Sequence, residues 1–104
     1  MKERGGPVWG TESEDLNATL LEWRAGEGPA EHVNAERDVL LAVLEGSAIV
    51  RTEDDERELL AGEATIIAKG LRRKITAGRH GVRYLSAHRR RPPLQIARAW
   101  RRDT

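Results

Sequence analysis

The stretch "DVLLAVLEG", residues 38 to 46, constrains this chain more than any other. Every residue from Val39 to Leu44 is apolar, and Gly46 closes the run. A run this short makes fewer than two helical turns, but it is a common strand length. Neighbours in a strand point to opposite faces, so Val39, Leu41 and Val43 share one face and Leu40, Ala42 and Leu44 the other. A strand with one wet face carries polar residues at alternate positions, and this one does not. Both faces are therefore expected to be covered, one by the domain interior and one by a second sheet or subunit. A homodimer is the expected assembly.

The rest of the chain repeats the theme of short apolar runs between glycine-containing turns. "LNATLLEWR" (16–24) reads as a strand ending at "AGEGPAE", and "HVN" opens a second extended piece. Beyond Gly46, "SAIVRTEDDERELLAG" reads as a hairpin with strands at 47–52 and 56–60 and a solvated acidic tip. Another strand lies between Gly62 and Gly70, and "RKITAG" and "GVRYLSAH" read as a hairpin across "AGRHG". About eight short strands and no strong helical pattern predict an all-β fold: a sandwich, jelly roll or small barrel. The 104 residues suffice for one domain. Its core is expected over about 16–88, with a loosely held arm at 1–15 and an Arg-rich tail at 89–104 that breaks at Pro92-Pro93.

The absence of cysteine removes disulfides, thiolate metal sites and a cysteine nucleophile together. The longest apolar run is far too short to cross a membrane as a helix, and "MKERGGPVWG" has no signal-like apolar stretch. A cytoplasmic protein is the expectation. The net charge of +1 hides a polarity: residues 1–68 carry 6 Lys/Arg against 16 Asp/Glu, and 69–104 carry 12 against one. That pattern suits two halves that neutralise each other across one fold. The basic half is nearly all Arg with few aromatics interleaved, so a nucleic-acid partner is not expected.

Two glycine-framed stretches carry a more specific signal. In the first, Gly26 is followed after five residues by His32-Val33-Asn34, then Asp38-Val39, then Gly46. In the second, Gly62 is followed after five residues by Ala68-Lys69-Gly70, then Arg73 and Ala77. This spacing resembles the two motifs of the cupin superfamily, and the resemblance covers roughly residues 16 to 88. It implies a double-stranded β-helix, or jelly-roll, barrel.

In metal-binding cupins two His and a Glu of the first motif and a His of the second hold one divalent ion. The resemblance places His32, Asn34, Val39 and Arg73 at those positions. Asp38 is one residue off the count, which in a strand means the opposite face unless a bulge intervenes. One imidazole and one amide oxygen are a poor donor set, and a permanent cation at the fourth place repels a metal. The expectation is therefore no metal and no cofactor.

Arg73 beside His32 and Asn34 suits a small anion instead, because guanidinium grips carboxylate or phosphate at two points. Tyr84, Ser86 and His88 share one face of the last strand and extend this ligand-binding set if that face looks inward. A structural alternative pairs Arg73 with Asp38 or Glu36. His80 sits in the expected turn and receives no role. Two other functions fit the resemblance: a metal-independent sugar epimerase or isomerase using His32 or His88 with Arg73, and a module docking partners through "HRRRPPLQIARAWRR".

Overall fold

The structure, a computed structural model, describes residues 5–34 and 36–90, with the backbone alone at His32. It contains β1 (Gly6–Glu12), β2 (Leu16–Trp23), β3 (His32–Val33), β4 (Val39–Thr52), β5 (Glu56–Leu60), β6 (Ala64–Ile67) and β7 (Arg72–Arg89). All pairings are antiparallel, in the order β1-β2-β7-β4-β5, with β3 on β7 and β6 on β4.

Two long strands organise the barrel. β4 and β7 pair from Val39↔His88 to Val43↔Tyr84, and again from Ala48↔Ala77 to Thr52↔Arg73, with register shifts between the two ladders. The first ladder joins β1, β2 and β6 in one sheet, and the second joins β3 and β5 in the other. Each long strand thus serves both sheets, which is the jelly-roll solution to closing an antiparallel sheet.

That continuity corrects the sequence reading at two points. Gly46 does not end its strand, and "AGRHG" is not a hairpin turn, because β4 and β7 bend together through their glycines. Gly46 and Gly81 take φ of 75° and 80°, which L side chains resist. The two backbones also approach so closely that a Cβ on Gly46 would fall on the Gly81 carbonyl oxygen. Gly46→Ala is therefore expected to cost about 3 kcal/mol from its dihedral and its overlap, read as a fall in the urea midpoint.

The first residues also differ from expectation. Residues 6–12 of the supposed loose arm form an edge strand, laid on β2 from Gly6↔Glu22 to Glu12↔Asn17. Ladder hydrogen bonds hold it, since its side chains bury little: Val8 and Trp9 are 48% and 51% exposed.

The core is the inward face of both sheets: Leu41, Val43, Val50, Leu59, Ile67, Ile75, Val82 and Tyr84, joined by Ala48 and Ala77. Each large aliphatic side chain removed from water there contributes about 1.5–3 kcal/mol. The acidic hairpin tip is exposed and closes by Thr52 N–H donating to the Asp55 carbonyl at 2.8 Å. The two charged halves of the chain meet across the fold through the ion pairs Glu31–Arg72, Glu22–Arg83 and Glu12–Arg90. Among the described residues no helix is long and apolar enough to cross a membrane. The tail beyond Arg90 lies outside the described residues.

Candidate functional site

Register decides which face of β7 looks inward. Tyr84, Ser86 and His88 stand opposite Val43, Leu41 and Val39, all three of which are buried in the barrel. The polar face is therefore the inner one, and Arg83, Leu85 and Ala87 face outward. On the second ladder the inward series runs Arg73, Ile75, Ala77, and Arg73 stands opposite Thr52 on β4 and His32 on β3. The side chain of His32 lies outside the described residues.

Arg73 is the centre of the site. It is 6% exposed, and its Nε and Nη1 are buried without a hydrogen-bond partner. Neither acid named as a structural partner supplies one. Asp38 is exposed and its Oδ1 accepts from the Lys69 N–H at 2.9 Å, while Glu36 is exposed and its Oε1 accepts from Arg37 Nη1 at 3.2 Å. Burial pushes the Arg73 guanidinium below its ordinary value, and the nearby Tyr84 pulls the other way. Tyr84, 2% exposed, is pushed up chiefly by burial, with Trp23 and Arg73 opposing. Its phenol thus keeps its proton and can donate.

Sequence reasoning missed two further residues with buried, unpartnered donors. Trp23 ends β2 opposite Val82, and its Nε1 is buried without a full hydrogen bond despite lying close enough to influence the Tyr84 phenol. The Arg37 side chain is 10% exposed, and its Nε is likewise unpartnered. Counting two residues back from Val39 would have flagged Arg37 as inward. Across the described residues, the buried side-chain atoms lacking a partner are Trp23 Nε1, Arg37 Nε, Arg73 Nε and Arg73 Nη1. Every one is an N–H donor. A buried donor left unmet costs about 1–3 kcal/mol, so this interior is short of acceptors.

The other expected site residues divide. Asn34 holds the turn before β4: its Oδ1 accepts from the Glu36 and Arg37 N–H groups at 3.1 Å, and its carbonyl accepts from the Gly70 N–H at 2.8 Å. Ser86 and His88 are half-buried on the inward face. His88 Nδ1 lies 2.9 Å from the Arg89 carbonyl. A carbonyl only accepts, so Nδ1 carries the proton and Nε2 is the basic nitrogen.

Two clefts border this region. One of about 210 Å³ is lined in part by Val50, Thr52, Ile67 and Leu71, which places it beside the register partner of Arg73, with Asp54, Asp55 and Arg57 at its rim. The larger, about 770 Å³, is an open trough at the glycine bend near Trp23, Arg79 and His80. Its charges include the Glu22–Arg83 and Arg24–Glu27 pairs, so it has size with much of its charge already met.

Among the described residues the donor set for a divalent ion is incomplete. Val39, 3% exposed, fills the acid's place with a hydrocarbon, and no register shift beside Asp38 turns that carboxylate inward. Arg73 puts a cation where a fourth donor would be, and the Asn34 oxygen is already bonded twice. Among the described residues no three His, Asp or Glu side chains converge.

The sequence matches no family model, and no curated protein is similar to it. Solved structures are similar to it in fold. A cupin-2 domain protein of Shewanella frigidimarina superposes with a TM-score of 0.72 at 23% identity, covering 86% of this chain and 85% of its own. The chain has the cupin fold. A cupin superfamily sugar phosphate isomerase of Silicibacter pomeroyi gives 0.66 at 18% identity, covering 75% of this chain and 52% of its own. An oxalate decarboxylase of Bacillus subtilis gives 0.75 at 20% identity, covering 85% and 26%. The roles of these cupins differ. The four motif glycines, Gly26, Gly46, Gly62 and Gly70, all adopt positive φ between 75° and 92°.

Proposed function

We propose that this cupin barrel binds a small carboxylate or phosphate without a metal ion, with the Arg73 guanidinium as the anchor. The observation that carries the reading is the pair of buried, unpartnered N–H groups on Arg73. A folded protein rarely leaves a buried cation unpaired, and an anionic ligand removes that cost by supplying charge and acceptors together. The phenol of Tyr84 and the indole N–H of Trp23 add neutral donors, and the aliphatic walls strengthen each bond by excluding water. The similar structures named for a sugar phosphate isomerase and an oxalate decarboxylase act on anions, which supports the ligand class. Such a barrel serves as a sensor, carrier or accessory subunit.

A thermal-shift series with acetate, oxalate and inorganic phosphate at constant ionic strength tests this. Saturable stabilisation is expected in the native protein and none in Arg73→Ala. Stabilisation unchanged in Arg73→Ala contradicts the reading, as does one equivalent of a divalent ion copurifying and raising stability.

A further inference from the structure

Among the described residues the interior holds buried guanidinium groups and no buried acid. Arg73 is buried, and the Arg37 side chain is 10% exposed with its Nε unpartnered. Every described acid is exposed except Glu22, which is half-buried and bonded to the outward Arg83. Glu36 meets Arg37 Nη1 at 3.2 Å, but the Glu36 side chain is 64% exposed. That pair belongs to the rim, where water screens it and it is worth little. The inner end of Arg37 therefore adds to the shortage of acceptors that Arg73 creates.

The bend in the long strands sets these two arginines at one end of the barrel, on facing sheets. Arg73 lies eight residues before Gly81 on β7 and His88 seven after it, so the strand returns to the same end on the opposite wall. His88 stands opposite Val39, and Arg37 lies two residues beyond Val39 along that wall. A second path joins them: His32 pairs with Arg73, and two residues on, the Asn34 Oδ1 accepts from the Arg37 N–H at 3.1 Å. We infer that the ligand is a dicarboxylate, gripped at one end by Arg73 and at the other by Arg37. This rests on the anion-binding reading and deepens it, making Arg37 the residue that selects a two-headed ligand. Two like charges repel, so one small anion would have to draw both arginines together. A molecule with a carboxylate at each end meets each guanidinium where it stands, through its own planar two-point contact.

Calorimetric titration of the full chain with acetate, malonate, succinate and glutarate at constant ionic strength tests this. The native protein should bind at least one dicarboxylate about tenfold or more tighter than acetate, because the second contact forms within one molecule. Arg37→Gln should bring that dicarboxylate close to acetate while leaving acetate itself unchanged. Arg73→Met should lose both. A native protein that binds acetate as tightly as every dicarboxylate overturns the second anchor and leaves the first. A preference that survives in Arg37→Gln does the same. An Arg37→Gln protein that fails to fold, or that loses acetate as well, gives Arg37 a structural role and also overturns the inference. Binding that is absent from the native protein, or unchanged in Arg73→Met, is instead the failure of the Arg73 reading, and the inference falls with it.

Discussion

Arg73→Met is expected to raise the stability of the ligand-free protein by about 1–3 kcal/mol and to abolish its response to anions. Both halves follow from the same two atoms. Arg73 Nε and Nη1 are buried without acceptors, so folding strips water from a cation and returns little. Methionine fills similar volume with no such cost. Because burial lowers the Arg73 value, folding disfavours the charged form at every pH below its titration. The gain in the Met variant should therefore be flat from about pH 5 to 9. A structural Arg73 gives the opposite sign: breaking a buried, paired charge loses about 3–5 kcal/mol. Urea unfolding at two pH values separates the cases. With an anion at a hundred times its dissociation constant, the native protein alone should gain about 2.7 kcal/mol, reversing the order of the two proteins if the gain in the ligand-free state is smaller.

Leu41→Ala is expected to cost about 2–5 kcal/mol, the largest loss among the single changes considered. Leu41 is fully buried and stands opposite Ser86 on β7 and Thr65 on β6, so the cavity left by truncation opens in the middle of the barrel. Its neighbour Leu40 points the other way. Leu40 is 39% exposed, so Leu40→Ala is expected to cost well under about 1 kcal/mol. Urea denaturation curves of the two variants would separate the inner face of β4 from its outer face.

The apolar run at Val39 to Leu44 made much of this fold legible, because alternation on a strand assigns faces without knowledge of partners. The same period put Tyr84, Ser86 and His88 on one side of β7. Which side was inward depended on the pairing with β4, and no local pattern contains that register. Gly46 and Gly81 read as turn residues because a positive φ serves a turn and a shared bend equally well. β1 was hidden for a different reason: backbone bonds hold it and its side chains stay exposed, so composition carries no trace of it.

The motif spacing located Arg73, but its isolation was not legible. Asp38 and Glu36 are near enough in sequence to serve as partners, and only the structure turns both of them outward. Trp23 and Arg37 were missed because each looks ordinary at a strand end or in a polar loop. Their importance lies in unmet donors, a property of packing.

Among the described residues Arg73 Nε and Nη1 have no acceptor, and the proposed anion is what would supply one. The most direct measurement is ¹⁵N-resolved NMR of the arginine Nε–H groups, with the Arg73 signal assigned by its loss in Arg73→Lys. On titration with oxalate or inorganic phosphate that signal should move saturably and become more protected from exchange, while the exposed arginines shift little. An Arg73 signal that stays still while the protein binds the anion elsewhere, or that is already protected without ligand, would contradict the account.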